Sequence, residues 1–243
     1  MGSTAQTGSA WWTPATSLGA MPPKLLAALC LAAAPAFDLD CASREPEPRM
    51  PSIEYRDSVA LGAPDSGSLR NGVLLPREGR SFFTWDPVRE TKPNRAWRRW
   101  ATDDAIRTTL AVLRRYRRAH RRATRVGIGD LSRPRGGYFG TEVSPGYSHD
   151  SHQNGLDVDV YYPLKNGRER APRRVGEIDL RRSQELVDRF VRAGAVNVFV
   201  GLKVPLKGPS GVVAPLEDHN DHMHVRFAPR AERRDGGTRS GGR

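Results

Sequence analysis

Cysteine is scarce in this chain: Cys30 and Cys41 are the only two in 243 residues. Long apolar runs are missing as well, and without the roughly 18 consecutive apolar residues that cross a bilayer a polytopic membrane protein is excluded. Acidic residues are short, with 27 Asp and Glu against 39 Lys and Arg, a net charge of +12. A field of that sign concentrates polyanions, so nucleic acid, an anionic membrane surface and a cell-wall polymer all suit it, and charge alone selects none of them. Several catalytic signatures are absent too. There is no Ser-x-x-Lys, no Gly-x-Ser-x-Gly and no His-Glu-x-x-His, which leaves acyl-serine chemistry, the hydrolase elbow and the thermolysin-type helix unsupported. What the chain does have is turn chemistry: 24 Gly and 19 Pro point to a loop-rich fold with short strands rather than a helical bundle.

Lys24 precedes the apolar segment Leu25–Ala34, and Ala34-Pro35-Ala36 has the small-x-small form of a signal-peptidase site. This reads as an export signal over residues 1–36. The uncharged stretch before it places the true start at Met21, and the competing reading is a short buried helix at 24–34. Cleavage would leave Cys41 as the one cysteine and permit no internal disulfide, so stability rests on packing and bound metal. Pro- and charge-rich sequence marks residues 37–65 as a linker, followed by a domain over 66–229 and a disordered basic tail over 230–243. Within the domain, Ser81–Trp85 is a short strand candidate. Thr102 is an N-cap ahead of Asp103 and Asp104, with Ile106, Leu110, Leu113 and Tyr116 at helical spacing to about Ala119. The arginines from Arg107 to Arg125 crowd this helix and its exit, as a solvated basic face, a contact with wall polymer or a nucleic-acid helix. A second helix is expected over Asp179–Ala193 and a strand over Val196–Val200.

Five of the six histidines fall in two clusters. In Ser148-His-Asp-Ser-His-Gln-Asn-Gly-Leu-Asp-Val-Asp-Val-Tyr161 the pattern alternates from Leu156, placing Asp157, Asp159 and Tyr161 on one strand face and Leu156, Val158 and Val160 on the other. The Asn154-Gly155 turn can fold His152 back over that strand. In His219-Asn-Asp-His-Met-His-Val-Arg-Phe227, the residues His222, His224 and Arg226 share a face opposite Met223, Val225 and Phe227. If the two strands pair, imidazoles and carboxylates project from one side of a sheet, a costly surface unless a cation occupies it. Two imidazoles and one carboxylate are the ligand set of catalytic zinc sites.

The strings GDLSRPRGG (129–137), HQNGLDVD (152–159) and HMHVRF (222–227) resemble the penicillin-insensitive murein endopeptidases, within the wider lysostaphin, D-alanyl-D-alanine carboxypeptidase and hedgehog group. The resemblance implies an α+β fold, hedgehog-like, with a small central antiparallel sheet flanked by helices. It implies Zn2+ held by His152, Asp159 and His224, with His222 and His219 beside the attacking water and His149 lining the same cleft. His222 is the expected general base, His219 its assistant, and Asp157 either an acceptor behind a ligand imidazole or a solvated carboxylate. The implied activity is β-lactam-insensitive hydrolysis of peptidoglycan stem-peptide cross-links of the D-alanyl-diaminopimelate type, in the periplasm or outside the cell. A zinc-stabilised wall-binding module without catalysis and a basic nucleic-acid-binding protein stand as the alternatives.

Overall fold

The computed structural model describes residues 52–140 and 149–230. The segment expected to direct export, both cysteines and the tail beyond Arg230 lie outside the described residues. In chain order the elements are β1 (Val59–Leu61), β2 (Ser68–Arg70), β3 (Val73–Leu74), β4 (Phe82–Thr84), β5 (Trp100–Ala101), α1 (Asp103–Ala119), β6 (Val126–Ile128), β7 (Asp157–Tyr161), α2 (Leu180–Arg192), β8 (Ala195–Gly201), β9 (Val213–Leu216) and β10 (His222–Phe227).

Alternation in β7 and β10 builds the centre of the molecule. The two strands pair antiparallel, with His224 opposite Asp159, His222 opposite Tyr161 and Val225 opposite Val158. Val158, Val160, Met223 and Val225 point into a core shared with Ile106, Leu113 and Tyr116 of α1 and with Leu186, Val187 and Phe190 of α2. Both helices therefore cover the apolar face, and the other face keeps the histidines and carboxylates. Each helix starts where its capping residue stands: the Thr102 hydroxyl accepts from the Ala105 N–H, and the Asp179 carboxylate accepts from the Arg182 N–H.

The six-stranded sheet runs β4-β6-β7-β10-β8-β9. Its middle is antiparallel, but β4 with β6 and β8 with β9 are parallel, so the sheet is mixed where an antiparallel one was expected. The reason is connectivity. Parallel neighbours need a long crossover, and α1 lies in the connection from β4 to β6.

Residues 52–65, expected as linker, lie folded on the domain. Ile53 and Tyr55 pack against the core, β1 pairs with β2, and the Ser58 hydroxyl accepts from the Asp103 N–H at the start of α1. Proline and charge suggested an extended tether, yet two large apolar side chains and one cap suffice to fix it. Arg230, expected in the tail, is held by Asp103 and Asp104. On α1, Arg114, Arg115 and Arg118 are exposed, while Arg125 pairs with Glu78 and Glu169. Among the described residues no helix is long and apolar enough to cross a membrane.

Candidate metal centre

The carboxylate of Asp159 is the hub of the polar face. Its Oδ1 lies 3.2 Å from His152 Nε2, 3.3 Å from His224 Nδ1 and 3.7 Å from His222 Nε2, and its Oδ2 lies 3.8 Å from His149 Nε2. Four imidazoles thus approach one buried carboxylate. Burial alone would raise the pKa of Asp159, but the surrounding imidazoles, His152 foremost, hold it well below the usual carboxylate range.

His152 reaches the hub through an unusual backbone. Its φ is +67°, a left-handed conformation that non-glycine residues seldom adopt and that costs about 1–3 kcal/mol. Two contacts hold it there. Its N–H donates to Asp157 Oδ2 at 3.0 Å, and its Nδ1 donates to the Leu131 carbonyl, which turns Nε2 toward Asp159. Gly155 completes the turn at φ +76°, where a Cβ would meet both methyl carbons of Leu69 at 2.9 Å. Gly155→Ala is expected to destabilise the fold by about 1–3 kcal/mol and to weaken zinc binding with it. Urea unfolding and zinc titration of the variant check this, and unchanged values in both would show that the turn does not position His152.

Asp157 is fully buried, which rules out the solvated-carboxylate reading. It accepts from Arg226 Nε at 2.7 Å and stands 3.2 Å from His224 Nε2. His224 is thereby oriented with Nδ1 toward Asp159. His222 is oriented in the same manner by Asp221, 2.7 Å from its Nδ1, so that Nε2 faces the hub. His219 stands one ring further out. Its Nδ1 bonds the Glu217 carbonyl, its ring centroid is 4.7 Å from that of His222, and burial together with His222 pushes its pKa down to about 4, so it is neutral at pH 7.

His149 is held from behind. Its Nε2 is 2.9 Å from Asp130 Oδ2, and the fully buried Arg98 forks the same carboxylate, with Nε 2.6 Å from Oδ1. Asn94 adds a third donor to Asp130, and the Phe139 ring stacks on His149 with centroids 5.1 Å apart. Sequence reasoning did not single out Asp130, Asp221 or Arg98. Asp130 lies inside GDLSRPRGG and Asp221 inside the histidine cluster of residues 219–227, whereas Arg98 stands in no local pattern at all.

The donor set fits a dication. His152 Nε2 and Asp159 Oδ1 are buried and lack a hydrogen-bond partner among the described residues, an arrangement that is costly without a bridging charge. A tetrahedral ion with bonds of about 2.0–2.1 Å spaces its ligands by roughly 3.3 Å, matching the 3.2 and 3.3 Å separations around Asp159 Oδ1. Donor atoms of His149, His152 and Asp159 also lie within 4.8 Å of one another. A cleft of about 690 Å³ opens onto the cluster, lined by His149, His219, His224 and Arg226 and by Pro64 and Asp65 from the β1–β2 turn.

The family model of the penicillin-insensitive murein endopeptidases matches residues 60–194. The chain belongs to this family. The matched span carries His149, His152, Asp157 and Asp159 together with Asp130, and it stops short of β8, so the second histidine cluster joins them through the pairing of β10 with β7. No curated protein resembles the chain closely enough to count as a match.

Proposed function

We propose that the protein is a zinc-dependent endopeptidase that hydrolyses stem-peptide cross-links of peptidoglycan, of the D-alanyl-diaminopimelate type, after export from the cytoplasm. The observation that carries this reading is the convergence of four imidazoles on the Asp159 carboxylate beside a cleft lined by His149, His219 and His224. His152, Asp159 and His224 would hold the ion. His149 serves as a wall of the cleft, because its Nε2 is already engaged by Asp130.

When bound, zinc supplies Lewis acidity, acidifying a water and polarising a peptide carbonyl. His222 then acts as the general base. With Nδ1 fixed by Asp221 and Nε2 3.7 Å from Asp159 Oδ1, it would take the proton of the attacking water and return it to the leaving amine. His219, uncharged, can accept or donate a hydrogen bond beside it without adding positive charge to the site. Arg226, paired with Asp157, keeps His224 aligned.

His222→Gln is expected to lower kcat on purified sacculi by about 10²-fold or more while leaving zinc content intact. Muropeptide release followed by mass spectrometry measures it and identifies the bond cut. A chelator should abolish the wild-type activity, and a β-lactam should leave it untouched. Zinc-loaded wild type that releases nothing from cross-linked sacculi would point instead to a wall-binding module without catalysis.

A further inference from the structure

A second concavity lies beside the cleft, on the far side of the β1–β2 hairpin. It is a groove made of two adjoining hollows of about 600 and 300 Å³ that share Arg56, Gly72 and Trp100. Half-buried Trp100 forms the floor, and Leu61 and Leu74 bring apolar surface to it, 41% and 36% exposed. Two further arginines, Arg70 and Arg135, stand in its wall, exposed and without a carboxylate partner among the described residues. Arg56 is matched by Glu54 at 3.4 Å. Unpaired guanidinium groups beside a half-open indole form a surface suited to a ligand with both an apolar face and carboxylates.

The hairpin joins groove to cleft. Leu61 and Ser68, paired across β1 and β2, line the groove, while Ala63, Pro64 and Asp65 of the turn between them line the cleft. The turn is pinned, since Pro64 O accepts from the Gln153 N–H at 2.9 Å and Gly62 O from Asn154 Nδ2 at 3.1 Å. A ligand lying in the groove therefore ends beside the turn that lines the cleft.

Resting on the wall-polymer reading above, we propose that this groove holds the glycan strand of the polymer, one sugar face on Trp100 and stem carboxylates on Arg70 and Arg135, so that the stem passes round the hairpin tip into the cleft. Binding at two linked places makes cleavage on the insoluble polymer more efficient than on a free peptide, through effective concentration. It also gives the excess positive charge a local task.

The test uses the intact chain and two variants, Trp100→Ala and the double change Arg70→Glu with Arg135→Glu, which alters exposed side chains only. Co-sedimentation with purified sacculi at several salt concentrations gives affinity, and hydrolysis of a sugar-free cross-linked peptide gives the state of the cleft. Charge reversal is expected to weaken sacculus binding about tenfold and to flatten its salt dependence, with peptide hydrolysis within about twofold of wild type. Trp100→Ala is expected to weaken binding while keeping the salt dependence. Unchanged sacculus affinity in both variants overturns the proposal. Should wild type hydrolyse neither substrate, the enzymatic reading falls, and loss of sacculus binding in the variants still supports the groove.

Discussion

Replacing Asp159 by alanine is expected to abolish hydrolysis, by about 10⁴-fold or more, and to release the metal. The size of the effect follows from the geometry. Among the described residues Asp159 is the one carboxylate approached by His149, His152, His222 and His224 together, so its loss removes the proposed ligand and also the negative charge at which the imidazoles meet. Without its ion a zinc peptidase would lose the Lewis acid that acidifies water and polarises the carbonyl. Asp150 provides the control. It lies in the same cleft but is exposed, and Asp150→Ala should retain metal and most of the activity. Zinc content and turnover of the two variants, measured side by side, decide the matter. An active Asp159→Ala protein would contradict the assignment.

Arg98→Met is expected to have the largest effect on stability, about 3–5 kcal/mol, which for a domain of this size lowers Tm by roughly 6–20 °C. Arg98 and Asp130 are both fully enclosed, and burial on its own would strongly disfavour the Asp130 charge; the Arg98 fork and His149 reverse this and hold its pKa below the ordinary range. Removing the guanidinium leaves that buried charge with only His149 and Asn94 beside it and also withdraws the cation 5.0 Å above the Phe139 ring. Adding Asp130→Asn should recover much of the loss, because the buried charge is then gone. Thermal unfolding of the single and double variants provides the reading, and a single variant within about 1 kcal/mol of wild type would show that the fork contributes little.

The polar face was legible in the sequence because strand alternation has a period of two. Asp157 with Asp159, and His222 with His224, could be placed on common faces before any pairing was known, and the observed register of β10 on β7 sets those faces side by side. Both helices were readable for a related reason: Thr102 and Asp179 carry cap chemistry, and apolar residues recur at helical spacing behind them. The parallel edges of the sheet were not. Which strand follows a crossover, and on which side, depends on how α1 and the β8–β9 connection pack, and no local pattern records that. The support behind His149 was hidden for the same reason, since Arg98 meets Asp130 from 32 residues away. Residues 52–65 show the converse error, in which proline and charge outweighed Ile53 and Tyr55 although two anchored side chains are enough to order a short segment.

The most direct test of the metal centre is an anomalous-difference map from crystals of the protein grown with zinc, recorded on either side of the zinc absorption edge. The expected result is one peak at full occupancy about 2.0–2.2 Å from His152 Nε2, Asp159 Oδ1 and His224 Nδ1. A peak elsewhere, or none at these three atoms in zinc-saturated protein, would contradict the account.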